Sequence, residues 1–157
     1  MSDQNPYEPP RSEVRDSPSV VEQRFRWKAV ALGTAADIVG SVVGGAVLFA
    51  LVFTRNDGQD AAGLMKSLAM DPGYLLMSLL VGLLFSVLGG YVAGRVAGHT
   101  QLKHALVTGV CSMALGTLIG GDSSAGPYEG IMNLLGYGLH FPAVLAGGWV
   151  AKRAAQI

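Results

Sequence analysis

Charged residues are scarce in this sequence: Asp, Glu, Lys and Arg make up 14% of its 157 residues, whereas apolar side chains make up 50%. A soluble domain typically carries about 25% charged residues. The mean hydropathy is positive, at +0.41, and the formal net charge is +0. This composition excludes an ordinary soluble domain, and the balanced charge gives no reason to expect a nucleic-acid partner.

Cysteine occurs once, as Cys111, so neither an intrachain disulfide nor a zinc site of paired cysteines can form. The sequence also lacks a phosphate-binding loop, a zinc-protease helix and a nucleophile elbow. Intramembrane aspartyl proteases need paired aspartates, and only one aspartate lies in an apolar stretch. We therefore predict no enzyme activity, no metal site and no cofactor.

The sequence does contain four long apolar stretches, each close to the ~20 residues that a helix needs to cross a bilayer. They span residues 29–53, 74–96, 102–120 and 131–151. Because they are continuous and do not alternate with polar residues, they predict helices and not the strands of a membrane barrel. The predicted fold class is therefore all-α, a polytopic membrane protein with four transmembrane helices in residues 25–157.

The basic residues are distributed unevenly between the predicted loops. Nine of the 11 lysines and arginines lie in the N-terminal tail, the second loop or the C-terminal tail: Arg11, Arg15, Arg24, Arg26, Lys28, Arg95, Lys103, Lys152 and Arg153. The first and third loops hold only Arg55 and Lys66. Because positive residues favour the cytoplasmic side, this bias predicts that both termini are cytoplasmic.

Residues 1–24 are polar, contain four prolines and offer little to bury, which predicts a disordered cytoplasmic tail. The segment Asn5–Pro10 reads NPYEPP. It resembles the N-P-Y-x-P-P start of uncharacterised small four-span inner-membrane proteins of Gram-negative bacteria. The resemblance implies a bacterial inner membrane and no particular activity. The tail is either a solvated polyproline-like leader or a docking peptide for a partner.

Two nine-residue segments are similar: residues 89–97 read GGYVAGRVA, and residues 147–155 read GGWVAKRAA. They end the second and fourth apolar stretches. Either two hairpins of the same orientation are repeats, or both segments converged on small residues and an arginine at the membrane boundary. In the first loop, Leu64, Met65, Leu68 and Met70 predict a short helix lying on the membrane surface.

The sequence contains 22 glycines, which is typical of helices that pack closely in a membrane. Three stretches have glycines at GxxxG spacing: Gly40 and Gly44, then Gly90, Gly94 and Gly98, and finally Gly116 and Gly120. Stepping by three and four residues extends these positions into stripes of small residues, which include Asp37 in the first stretch and Ser86 in the second. The stripes predict a four-helix bundle, or contacts between copies of the chain.

Asp37 is the most informative polar residue, because it lies about 13 Å beyond Lys28 if the helix rises ~1.5 Å per residue. A carboxyl group at this depth is expected to face the bundle interior with a partner. His140 lies at a similar depth in the fourth stretch, on one face with Asn133, Gly136 and Tyr137. Asp37 and His140 therefore form a candidate intramembrane pair, either a proton or ion relay or a structural clasp.

Other polar residues give weaker signals. Thr108, Ser112 and Thr117 are expected to bond back to their own helix. His99 and His104 are expected to be polar residues at the membrane interface. Pro142 is expected to disturb the fourth helix close to His140.

Two functions remain open from the sequence. The leading interpretation is a non-enzymatic accessory or assembly component, whose partners are the lipid bilayer and a second copy of the chain or another membrane protein. The alternative is a small oligomeric transporter or channel that uses Asp37 and His140, since four helices rarely enclose a pathway alone.

Overall fold

The computed structural model describes residues 25–56, 58, 60–120 and 128–156. These residues form five helices and no strand: α1 (Trp27–Phe53), α2 (Ala61–Leu68), α3 (Pro72–Ala97), α4 (Gln101–Gly120) and α5 (Glu129–Ala154). Four of them, α1, α3, α4 and α5, are long and apolar enough to cross a membrane. The predicted fold class is therefore confirmed. The predicted tail, with its NPYEPP segment, lies outside the described residues.

The predicted spans agree with the helices except at their ends, where the helices extend into polar turns. α3 begins at Pro72, because the Asp71 side chain accepts hydrogen bonds from the backbone N–H groups of Gly73, at 2.8 Å, and Tyr74, at 3.4 Å. It ends at Ala97 and is capped by Gly98, which has a φ of +73°. Gly98, predicted as a packing glycine, thus terminates α3 in a conformation that favours glycine.

The four long helices form a bundle in which α3 packs most extensively against α1 and α5, and α4 contacts all three. α3 runs antiparallel to α1 and parallel to α5. One end of the bundle therefore carries Arg26, Lys28, Arg95, Lys103, Lys152 and Arg153. We call it the basic end, and the other end the far end.

Close backbone contacts of α3 with α1 and α5 lie between Asp37 and the basic end, in the part of the bundle that we call the packed half. A Cβ added at Gly33 would lie 2.8 Å from the carbonyl oxygen of Gly89. Added Cβ atoms at Gly90 and Gly147 would overlap backbone atoms of α5 and α3, respectively. Glycine is therefore what permits this approach. The two similar nine-residue segments both contribute to the contact between α3 and α5.

The other predicted packing glycines behave differently from one another. Added Cβ atoms would meet Phe85 at Gly40, Val81 and Phe85 at Gly44, and Ala151 at Gly94. Gly116 has nothing within 4 Å of such an atom. It lies beside a cavity and not in a helix contact. The surroundings of Gly120 lie outside the described residues.

The short helix predicted in the first loop is present as α2. Asp60 caps it by accepting a hydrogen bond from the Gly63 N–H at 2.9 Å. Leu64 and Leu68, four residues apart, are buried on one face, whereas Met65 is 63% exposed. α2 therefore turns two of the four predicted apolar residues toward the protein.

Candidate functional site

Three helices bring Asp37, Ser86 and His140 together near their midpoints. The Ser86 hydroxyl oxygen lies 3.0 Å from Asp37 Oδ1 and 3.0 Å from His140 Nδ1. Asp37 and Ser86 are 3% and 4% exposed. The predicted pair is thus bridged by a serine. A direct hydrogen bond is not formed, because Asp37 Oδ2 and His140 Nε2 are 4.0 Å apart.

Local packing explains how a carboxyl group comes so close to α3. An added Cβ at Gly89 would lie 2.7 Å from the Asp37 Cβ, so only glycine leaves room for Asp37 here. Ser86 lies one turn before Gly89 and four residues after Gly82, whose carbonyl oxygen is 3.1 Å from the Ser86 hydroxyl. The Ser86 hydroxyl is therefore within hydrogen-bond distance of the Gly82 carbonyl of its own helix and of the two neighbouring side chains.

The partners of His140 restrict where its protons are placed. Nε2 lies 3.1 Å from the backbone carbonyl oxygen of Gly109 on α4. A carbonyl only accepts, so this contact assigns a hydrogen to Nε2. Nδ1 then either accepts from Ser86 in the neutral ring or donates to it in the charged ring.

Two proton arrangements satisfy every contact of the chain Asp37–Ser86–His140–Gly109. In one, a neutral carboxyl group donates to Ser86, and Ser86 donates to a neutral imidazole. In the other, Ser86 donates to a carboxylate and accepts from an imidazolium. Both contain the same number of protons and differ only by proton shifts through the serine hydroxyl. The two end groups thus share one exchangeable proton.

Removing that proton breaks the pattern. With a carboxylate and a neutral imidazole, one contact of the chain lacks a hydrogen: the one between Ser86 and Asp37 Oδ1, the one between Ser86 and His140 Nδ1, or the one between Nε2 and the Gly109 carbonyl. Buried acceptors without a donor are unfavourable. Deprotonation therefore costs one hydrogen bond of the chain unless another donor reaches the site.

A cavity of about 580 Å³ extends from these residues into the far half of the bundle and is lined by all four membrane helices. Its wall is mostly apolar. The polar residues that line it, besides Asp37, Ser86 and His140, are Ser41, Ser78, Ser112, Thr117, Asn133 and Tyr137. Asn133, Gly136 and Tyr137 thus share a wall with His140, as the helical spacing predicts.

Two buried oxygen atoms at this cavity have no hydrogen-bond partner among the described residues: Asp37 Oδ2 and Ser112 Oγ. Thr117 does bond back to its own helix, with 2.8 Å between its hydroxyl and the Ala114 carbonyl oxygen. Ser112 and Thr108 do not, since their hydroxyls also lack a partner within the described part of the chain. The back-bonding prediction therefore holds for Thr117 alone.

The sequence predicts Ser86 only as a member of a stripe of small residues, and it does not predict that Ser86 bridges Asp37 and His140. Its polarity and its depth mark Ser86 as a candidate partner, because it is the polar member of that stripe at the depth of Asp37. The sequence does not predict the contact between His140 and the Gly109 carbonyl. Every residue has a carbonyl group, and helix rotation decides which one faces His140.

His104 is fully buried within the protein, at the basic end of the bundle. Its Nε2 accepts a hydrogen bond from the Arg26 N–H at 3.0 Å, and its Nδ1 lies 3.1 Å from the Thr100 carbonyl oxygen. The Phe25 ring stacks on it with centroids 4.4 Å apart. His104 thereby joins the start of α1 to the start of α4.

Comparison with protein-family models, curated proteins and solved structures finds no match for this chain. No group of three metal-ligating side chains occurs within residues 25–56, 60–120 and 128–156. Function is therefore inferred from the site itself.

Proposed function

We propose that the chain is a small proton-coupled transporter, the second of the two functions that the sequence left open. The observation that supports this proposal is the hydrogen-bonded chain Asp37–Ser86–His140 at the end of a cavity. A clasp that only fixed the helix register would not need a cavity leading to it, nor a carboxyl oxygen without a hydrogen-bond partner among the described residues. Intramembrane ionisable residues commonly mark proton and substrate pathways.

The difference between the two halves supports a transport cycle with access from one side at a time. The cavity reaches Asp37 from the far half, while in the packed half glycine contacts join α3 closely to α1 and α5. Transport requires a second arrangement in which these contacts open. A second copy of the chain is expected to take part, because four helices give little surface against which one helix pair can move.

The proposed location is a bacterial inner membrane, with both termini in the cytoplasm. The orientation follows from the basic residues, nine of which lie on one side of the predicted spans. The bacterial assignment rests on the resemblance carried by Asn5–Pro10. In this orientation the cavity faces away from the cytoplasm.

The second candidate is a non-enzymatic accessory or assembly component. It is favoured by Gly116, a GxxxG glycine with no neighbour within 4 Å of an added Cβ. Gly116 lines the open cavity described above, so a partner helix seated in this cavity would contact it. This observation is equally compatible with a homo-oligomeric transporter.

The test uses proteoliposomes that enclose a pH-sensitive dye, prepared with wild type, Asp37→Asn and Asp71→Asn. Gradients of Na⁺, K⁺ and a set of organic cations, anions and neutral solutes are imposed in turn. We expect at least one gradient to move protons with wild type and Asp71→Asn, and none with Asp37→Asn. Asp71 is a matched control, because it caps α3 outside the apolar stretch.

Thermal unfolding in detergent is recorded for each variant, so that a loss of proton movement is scored only for folded protein. A wild type that moves no protons under any gradient contradicts the transporter proposal. An Asp37→Asn variant with full proton movement contradicts the assignment of the site.

A further inference from the structure

The charge around the cavity selects the class of ligand. The Asp37 side chain is 5% exposed and lines the cavity, and its Oδ2 has no hydrogen-bond partner among the described residues. The described residues that line the cavity include no lysine or arginine. An anion would meet a carboxyl group without a compensating cation, so a neutral or positively charged ligand fits better.

Two buried oxygen atoms without a partner among the described residues further restrict the class of ligand. Asp37 Oδ2 accepts hydrogen bonds when ionised, and the Ser112 hydroxyl offers a second oxygen on the same cavity. A bare metal cation needs about six oxygen ligands, which the mostly apolar wall does not supply. An ammonium group offers up to three N–H donors and carries the charge that a carboxylate prefers.

The walls indicate what the ammonium group is attached to. Leu75, Leu79, Leu83, Met113 and Met132 line the cavity. Its volume of about 580 Å³ falls within the range of roughly 300–1,000 Å³ usual for sites of small organic ligands. Flexible methionines suit ligands of varied shape. The walls thus fit an apolar body attached to the cationic head.

We propose that this cavity binds an organic ammonium ion with an apolar body, and that the ion replaces the proton shared by Asp37 and His140. This inference rests on the proposed function and names its substrate class. In both loaded arrangements the chain Asp37–Ser86–His140 has no net charge. Adding a cation while keeping the proton would bury a net positive charge in the membrane, which is unfavourable.

The exchange also restores the hydrogen bonds that deprotonation breaks. The ammonium N–H groups donate to the Asp37 carboxylate, which frees the Ser86 hydroxyl to donate to His140 Nδ1. Nε2 continues to donate to the Gly109 carbonyl. The balance is one ammonium ion bound and one proton released, with no covalent bond formed between ligand and protein.

The test measures binding of phenethylammonium to the full chain in detergent by calorimetry, with proton release recorded by a pH dye in weak buffer. We expect about one proton released per ion bound, and an affinity that falls roughly tenfold for each pH unit lowered while the site is proton-loaded. The neutral analogue 2-phenylethanol and the anion phenylacetate are expected to bind at least tenfold more weakly.

Two variants test the contacts. Asp37→Asn is expected to abolish both binding and proton release. Ser112→Ala, which removes one small hydroxyl, is expected to weaken binding several-fold and to keep the proton release, whereas Ser67→Ala on α2, outside the cavity lining, leaves both unchanged. A loss of binding and proton release in Asp37→Asn is attributed to the site only when the unfolding temperature of this variant in detergent is close to that of wild type. If Asp37→Asn fails to fold, Ser112→Ala still tests the contact.

The inference is overturned if phenethylammonium does not bind, if 2-phenylethanol binds equally well, or if binding releases no proton. Its failure is distinguishable from failure of the proposed function. Proton movement driven by another solute in proteoliposomes, without ammonium binding, would retain a proton-coupled transporter and reject this substrate class.

Discussion

The two halves of the bundle use glycine in different ways. In the packed half, Gly33, Gly90 and Gly147 lie against the backbone of a neighbouring helix. In the far half, Gly82 and Gly116 have nothing within 4 Å of an added Cβ and line the cavity. Small residues therefore close this bundle where backbones cross, as at Gly33, Gly90 and Gly147, whereas Gly82 and Gly116 border open space.

The residues around each glycine explain this difference. The packed half is built from alanines as well as glycines, since Ala29, Ala93, Ala97, Ala105 and Ala151 are all 0% exposed. Small residues on both partners let the helices approach. In the far half, Phe85 and Val81 lie against Gly40 and Gly44, so side chains and not backbone atoms make these contacts.

The largest expected effect concerns Gly147. Gly147→Ala places a methyl group against the backbone of Val87 on α3, which cannot rotate away. We expect a loss of about 3 kcal/mol, the upper range for overpacking. Gly138→Ala on the same helix, where nothing lies within 4 Å, should change stability by less than about 0.5 kcal/mol. Reversible unfolding by SDS in mixed micelles measures both, and equal effects would contradict the close crossing.

The boundary between the two halves is tested by Ser86→Ala. The variant leaves Asp37 Oδ1 and His140 Nδ1 without their shared partner. We expect a loss of about 2 kcal/mol, typical of an unsatisfied buried polar group. Ser78→Ala, two turns earlier on α3 and half-buried, is the control and should have little effect in the same assay. A Ser86→Ala variant as stable as the control would show that the bridge contributes nothing.

A smaller effect is expected at the basic end of the packed half. His104→Ala removes the acceptor for the Arg26 N–H and the stacking surface for Phe25. We expect a loss of about 1–2 kcal/mol and faster hydrogen exchange in the first turn of α1, read by mass spectrometry. His99→Ala provides the matched control, because His99 is only half-buried. Unchanged exchange near Arg26 would argue against this connection.

The smallest effect is expected at Gly116, which has open space beside it. Gly116→Ala should alter the stability of the monomer by less than about 0.5 kcal/mol. Cross-linking in lipid bilayers of wild type and this variant shows whether the position contacts another copy. A large loss of stability in monomeric micelles would place Gly116 in an internal contact and contradict the observed cavity.

The helices were predictable because continuous apolar runs of this length have few alternatives in a membrane. The same holds for the depth of Asp37 and His140, which follows from counting residues along each helix. Depth alone places two residues in one layer, but it does not say what lies between them. Ser86 was identified only by the rotation of α3, which is set by the crossings at Gly89 and Gly90.

The burial of His104 shows the same limit. Its neighbours in the sequence are polar, which suggested an interfacial position. In the structure the segment Phe25–Arg26 folds over it and supplies both a ring and a donor. This contact joins residues 78 positions apart, and a pattern of neighbouring residues does not predict it.

We infer that Asp37 and His140 share one proton through Ser86. Solid-state NMR of the protein in bilayers, with the aspartate side-chain carbons and histidine ring nitrogens labelled, tests it directly. His140→Gln and Asp37→Asn assign the two signals. We expect the Asp37 and His140 signals to change in the same pH step in wild type, and Ser86→Ala to separate the two changes. Signals that change independently in wild type would contradict a shared proton and leave the three residues as a structural contact.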